Sequence, residues 1–323
     1  MPSIPSPGDV HVDRMLTNMS VAFLQKQEHF VADKVFPVVE VDKQSDLYPT
    51  WDRSDFQRDE AMEVGPAGEA PVGASRLSTT AYRCRVFKWA KMLDEQNARQ
   101  ADEPLQLDKT FTQQVMQKLL IRRERQFVSA VFTTGVWTGS TTGGDITPAV
   151  KWDVYATSTP VADIEAQIFN LMKFGLDPMD MTLTLPPPVF RVLKNHPDFL
   201  DRYENVMPAI MNEQLMAAVL GIGRVVVPKA AYVTSKEAAA TTTQDFAWAS
   251  DNALLTFAPK APGLNTPSAG YLFGWNLFGT QAAFRMLRWW RQEKGSWQIQ
   301  GECAFDPKIV SAVCGAFFLN VLT

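Results

Sequence analysis

Residues 52–76, DRSDFQRDEAMEVGPAGEAPVGASR, restrict the possible folds of this sequence more than any other stretch. They are polar, rich in Gly and Pro, and carry neither a helical nor a strand period. Both flanks do read as strands. VFPVVEVDKQSDLY (35–48) has strand character, and STTAYRCRVFKW (78–89) alternates, with Tyr82, Cys84 and Val86 on one face and Arg83 and Arg85 on the other. Structureless connections beyond about 12–15 residues are uncommon inside compact domains and tend to be functional or disordered. A long hairpin loop of this kind either waves in solvent or lies on another molecule.

The strongest helical signal follows. Asp102 and Pro104 supply a start, and the run to residue 132 carries Phe111, Val115, Leu119, Phe127 and Val131 near helical spacing. A helix over 104–132 would be about 40 Å long at about 1.5 Å per residue. Its other face holds Lys118, Arg122, Arg123, Glu124 and Arg125, which the sequence alone leaves either solvated or set against a neighbouring subunit.

TTGVWTGSTTGGD (133–145) reads as a flexible connection and an internal boundary. Beyond it a helix is expected after Thr159 and Pro160, with Asp163 and Glu165 in its first turns, a stripe of Val161, Ile164, Ile168 and Leu171, and a stop at Gly175. MTLTL (181–185) reads as a strand, PPPVFRVL begins a short helix and NEQLMAAVLG (212–221) forms another. RVVVPKAAYV, FAWASDNALLTFA and AGYLFGW read as strands, with a last pair around WWRQEKGSWQIQ and IVSAVCGAFFLNV. The class is therefore α+β. Residues 1–35 open with three prolines and a moderately amphipathic run, and read as an arm.

The formal charge of −4 argues against a basic nucleic-acid reader. Cys84, Cys303 and Cys314 lack CxxC spacing, which suggests neither a disulfide framework nor a zinc ribbon. The first residues show no signal-peptide pattern, and VSAVCGAFFLNVL (310–322) is shorter than the roughly 20 residues of a bilayer span. A soluble, intracellularly made protein without membrane partners is the expectation.

FRVLKNHPDFLDRY (190–203) sets His196 beside Asp198, Asp201 and Tyr203. A residue before proline is pushed from helical dihedrals, so one helix is expected to stop near Asn195 and another to start at Pro197, leaving His196 at a hinge and both aspartates near a helix start. The competing reading is a metal-dependent hydrolase using His196, Asp198 and Asp201. His11 and His29 lie far off in the arm, and there is no HExxH. Walker and GxSxG motifs are lacking, and GIGRVV (221–226) precedes a strand, so its glycines read as a helix stop and a turn. RMLRWWRQEK (285–294) has the composition of a single-strand stacking platform, or of a strand with one aromatic side buried and arginines meeting carboxylates. No catalytic, cofactor-binding or metal-binding residue is assigned, and no cofactor is expected.

The order of these features closely resembles the major capsid proteins of tailed bacteriophages, the Hong Kong 97 fold, over nearly the whole chain. TTAYRCRVFKW, LLIRRER, WDVYATSTPVADI (152–164), VLKNHPDF (192–199) and GRVVVPKAAYVTSKE (223–237) carry the likeness. It implies an arm (1–40), an extended loop (41–92), a peripheral domain (93–159) with the spine helix 104–132, an axial domain (160–290) and C-terminal strands (291–323) returning to the peripheral domain. The implied role is a structural, non-enzymatic shell protein, self-assembling through hexamers and pentamers around double-stranded DNA that it contacts weakly and non-specifically. The implied setting is a virion capsid assembled in the host bacterial cytoplasm, with a separate scaffolding protein, a portal and in some cases a decoration protein as partners. A cargo-holding nanocompartment of the encapsulin kind is the alternative with the same fold. The loop would lie across an adjoining subunit, with Asp52, Arg53, Asp55, Arg58, Asp59 and Glu60 facing partner charges, and Arg122, Arg123, Glu124 and Arg125 are further interface candidates.

Overall fold

A computed structural model describes residues 24–51, 53–65, 68–100, 107–204, 211–237, 241–248, 251–261, 263, 266–276 and 284–323. In chain order a short helix α1 (Ala32–Val35) leads into strands β1 (Val38–Val41) and β2 (Ser45–Trp51), then helix α2 (Arg53–Gln57), strands β3 (Leu77–Arg83) and β4 (Arg85–Asp94), and helices α3 (Glu95–Gln100) and α4 (Leu107–Val131). Helix α5 (Pro160–Lys173), strand β5 (Met181–Thr184) and helices α6 (Pro187–Lys194), α7 (Pro197–Glu204) and α8 (Glu213–Leu220) follow. The remaining strands are β6 (Arg224–Val226), β7 (Ala231–Val233), β8 (Gln244–Phe246), β9 (Ala253–Phe257), β10 (Gly270–Trp275), β11 (Phe284–Arg291), β12 (Ser296–Ile309) and β13 (Gly315–Phe318).

The long strand β12 organises one sheet, in which β1, β10, β12 and β11 run in that order and β4 also pairs with β12. Helix α4 lies on this sheet with Phe111, Val115, Leu119, Phe127 and Val131 buried, the stripe its periodicity foretells. The approach is close because Gly301 lacks a side chain; a Cβ there would come within 2.6 Å of Leu119 and Val115. The expected helix start at Asp102 and Pro104 lies outside the described residues.

The second sheet has the order β13, β9, β5, β6. All four residues of β5 are buried, so it is a central strand without a solvated face. Helix α8 packs on β6, starting where the Asn212 side chain accepts from Leu215 N at 2.8 Å and stopping at Gly221, whose φ of +63° favours glycine. Both sheets share one apolar core that includes Phe36, Phe127, Trp137, Trp152, Leu183 and Phe317. Each such side chain contributes about 1.5–3 kcal/mol through burial.

Four boundaries differ from the sequence expectation. The stretch 133–145 is packed rather than a loose connection. Trp137 is buried with its indole donating to Val131 O at 2.8 Å, and a Cβ on Gly139 would come within 2.1 Å of Val313 O. The last strand, β13, joins the β9–β5–β6 sheet instead of returning to the sheet on α4, whereas β10 and β11, inside the expected axial segment, belong to the α4 sheet. Of the loop assigned to 41–92, β4 is an integral sheet strand paired with β12 from Asp94↔Ser296 to Arg85↔Phe305. Lastly, Phe30, Val31, Ala32, Val35 and Phe36 of the arm are buried in their own subunit.

Candidate assembly surface

Strands β2 and β3 pair from Ser45↔Arg83 to Trp51↔Leu77 and form the hairpin that the sequence anticipates. Its root is held firmly. Tyr82 stacks on Phe273 with ring centroids 4.6 Å apart, Tyr48 lies 5.6 Å from the same ring, and Arg83 N donates to Asp306 Oδ2 at 3.0 Å. Along and beyond that root the hairpin carries exposed apolar side chains. Leu47, Trp51, Phe56, Met62, Val64, Val72 and Leu77 are exposed, Val72 to 97% and Met62 to 74%. Exposed apolar groups concentrated on one projecting element mark a surface that gains from being covered.

The charged residues expected to face a partner meet mostly local groups here. Asp55 Oδ2 accepts from Arg76 N at 2.6 Å, closing the loop on itself. Arg58 pairs with Glu60 at 3.0 Å, and the Arg53 guanidinium lies 4.0 Å above the Phe174 ring, where Gln57 Nε2 also donates to Phe174 O at 2.6 Å. Exposed pairs of this kind contribute at most about 1 kcal/mol each, little resistance to exchange for other partners. Asp59 is exposed, and Asp52 lies outside the described residues.

On α4 the charged run divides. Arg122 and Arg125 are exposed, with their guanidinium groups 4.8 Å from the Phe87 ring and 4.3 Å from the Tyr232 ring. Arg123 and Glu124 are buried, which corrects their assignment to a subunit-facing or solvated surface. The Glu124 carboxylate accepts from Val31 N at 3.1 Å, from Ala32 N at 3.1 Å and from the Trp248 indole Nε1 at 2.7 Å. Arg123 pairs with Asp33 at 3.5 Å. Burial pushes the Glu124 carboxyl above the ordinary value, opposed by those donors and by the charge of Arg123. The helical period conceals this role, because α4 is enclosed by the arm on a side that the amphipathic pattern leaves polar. Trp248, distant in sequence, carries no signal of it.

His196 occupies the joint between α6 and α7 and is buried. Asp198 N donates to its Nδ1 at 3.1 Å, so the other ring nitrogen, Nε2, carries the proton and donates to Ser158 Oγ at 2.7 Å. Ser158 Oγ in turn donates to Val154 O at 2.8 Å. This order is opposite to an activated serine, whose hydroxyl proton must point at an unprotonated imidazole nitrogen. Burial lowers the His196 pKa, with the Asp198 charge opposing it, and favours the neutral ring. Asp198 Oδ2 accepts from Val161 N at 3.0 Å and so caps α5 from a neighbouring helix, while the side chain of Thr159, at the N-cap position, makes no capping bond. Asp201 lies exposed on α7, and among the described residues no three His, Cys, Asp or Glu side chains gather as metal ligands.

In the basic-aromatic strand β11, Arg285 bonds Glu302 at 3.0 Å, Arg288 bonds Asp108 at 2.7 Å and Arg291 bonds Gln298 at 2.7 Å, while Trp290 packs on Trp297 at 5.3 Å. Burial pushes the Glu302 carboxyl up, but hydrogen bonds from Lys88 and Gln300 and the charges of Lys88 and Arg285 hold it below the ordinary value. Arg285 and Arg288 meet carboxylates inside the chain and Arg291 meets an amide, while Trp289 and Trp290 are half-buried, so the strand follows the second reading in its ion pairs. No described helix is long and apolar enough to cross a membrane.

No protein-family model and no curated protein matches this sequence. Solved structures do. A phage-related protein from Bordetella bronchiseptica RB50 superposes with a TM-score of 0.68 at 14% identity, over 92% of this chain and 93% of its own. The capsid of the cyanophage P-SCSP1u gives 0.62 at 10% identity, with 99% of each chain covered. The chain has the Hong Kong 97-type capsid fold. An encapsulin, SrpI from Synechococcus elongatus PCC 7942, shares it with a TM-score of 0.55, 12% identity and coverage of 96% and 95%.

Proposed function

We propose that this chain is the main structural subunit of an icosahedral shell of the tailed-phage kind, assembling through hexamers and pentamers of itself around double-stranded DNA. The observation that carries the reading is the hairpin between Leu47 and Leu77, rooted on its own sheet and apolar at its exposed end. A second copy would cover those side chains, each contributing about 1.5–3 kcal/mol on burial, while Arg53, Asp55, Arg58, Asp59 and Glu60, with Asp52, exchange local partners for charges across the contact. Arg122 and Arg125 are the candidates on α4.

Shells tolerate weak individual contacts, because each subunit makes many of them and multivalency supplies the final stability. The formal charge of −4 accords with weak, non-specific contact to packaged DNA. Separate scaffolding, portal and decoration proteins, and assembly in a bacterial cytoplasm, belong to the same reading.

Deleting residues 54–75 tests it. The deleted chain is expected to be folded and soluble by circular dichroism yet form no closed particles in electron micrographs, where the full chain forms them. Normal closed particles from the deletion would sink the loop assignment. Likeness to an encapsulin supports the alternative of a cargo-holding compartment. Particles purified with nuclease-protected DNA favour the phage reading, and particles holding a protein cargo favour the other.

A further inference from the structure

A cleft of about 310 Å³ opens between residues 26–34 and the segment 224–229. Its arm wall is fastened at both ends. Gln25 donates from Nε2 to Ala231 O at 2.5 Å and accepts from Ala231 N at 3.0 Å, while the Glu124 carboxylate holds Val31 and Ala32. The cleft is thus preformed rather than a gap between loose segments. Lys26, Lys34, Arg224 and Lys229 line it against two carboxylates, Glu28 and Glu213, with Glu213 engaged by Lys229 at 2.9 Å. Arg224 is half-buried, its Nε is taken by Thr182 Oγ1 at 2.8 Å, and among the described residues it has no ion-pair partner. Burial opposes the charge of this guanidinium and the Asp180 carboxylate supports it without a direct ion pair, so an added acidic group in the cleft would stabilise it further.

The matching surplus lies on the loop. Residues 58–65 and Glu69 are exposed and carry Asp59, Glu60, Glu63 and Glu69 against Arg58, which Glu60 already engages. Exposed Met62 and Val64 sit among those acids. We propose that the cleft between residues 26–34 and 224–229 receives the acidic stretch 59–65 of the extended loop of a second copy, with Asp59 or Glu63 meeting Arg224 and Lys26. This rests on the shell reading above and specifies where the loop lands. A duplex phosphate chain fits less well, because a cleft of this size is at the small end of ligand pockets and Glu28 and Glu213 would repel a continuous run of phosphates.

The test is a charge swap in the full chain. Lys26→Glu with Lys229→Glu, both on exposed side chains, is expected to slow assembly at low salt by at least about tenfold in light scattering, without lowering the Tm of the unassembled subunit. Asp59→Lys with Glu63→Lys is expected to do the same, and the four changes together to restore most of the rate. A K26C/E63C pair is expected to form intersubunit disulfides in assembled particles. The native thiols will not compete, since Cys84, Cys303 and Cys314 are buried and the first two have pKa values pushed up to about 12. Wild-type particles that form while K26E/K229E assembles at an unchanged rate would overturn the cleft assignment and leave the shell reading standing. Loss of retained DNA with unchanged assembly would overturn it in favour of phosphate binding. A wild-type chain that never forms particles would remove the shell reading and this proposal together.

Discussion

The end of the arm and the extended loop both read as appendages in the sequence, the first at the end of a moderately amphipathic run and the second polar, yet their fates in the fold are opposite. Residues 30–36 place Phe30, Val31, Ala32, Val35 and Phe36 in the core, and their backbone is fastened by the buried Glu124. The loop turns Trp51, Phe56, Met62 and Val72 outward and touches its own body at α2 through Gln57 and Arg53 at Phe174. The contrast teaches that exposure of apolar side chains, rather than lack of secondary structure, distinguishes a segment awaiting a partner from one already seated.

The contrast breaks most severely at Glu124. Glu124→Ala leaves three buried donors without an acceptor and is expected to cost about 3–5 kcal/mol of subunit stability, measured by urea unfolding; a cost below about 1 kcal/mol would show the fastening to be incidental. Trp248→Phe removes one of those donors and is expected to cost about 1.5–3 kcal/mol. His196→Ala comes next at about 2–4 kcal/mol, more than a simple cap, because the ring is buried against Tyr155 at 5.3 Å and bonded at both nitrogens. In the loop, Met62→Ser and Val72→Ser are expected to change subunit stability by less than about 0.5 kcal/mol while slowing particle formation. An equal loss of stability at the two sites would erase the distinction.

Glu124 and His196, two of the buried titrating groups, give opposite pH signatures. The His196 pKa is lowered from 6.5, so the unfolded chain binds more protons there, and its contribution is full above 6.5 and lost as pH falls through the folded value. The Glu124 pKa is raised from 4.5, so the folded chain binds more protons, and its contribution is full below 4.5 and lost as pH rises through the folded value. Urea midpoints measured across pH are expected to lose the first slope in His196→Gln and the second in Glu124→Gln. A Glu124→Gln curve parallel to that of the wild type would contradict the burial of that carboxylate.

Much of this architecture was legible residue by residue. The stripe Phe111, Val115, Leu119, Phe127 and Val131 on α4, the Gly221 stop, the break at His196-Pro197 and the hairpin flanks are local signals, each produced by neighbours within a few residues through periodicity or backbone stereochemistry. The existence of a long unsupported loop was equally readable, since it follows from what 52–76 lack. What only the tertiary structure decided is which segments meet. Asp198 caps a helix that begins at residue 160, β13 crosses to the other sheet, and Glu124 accepts hydrogen bonds from residues 31, 32 and 248. The reason is physical: a lone carboxylate on a helix reads as solvated until the chain brings distant N–H groups to it, and no local pattern encodes that encounter.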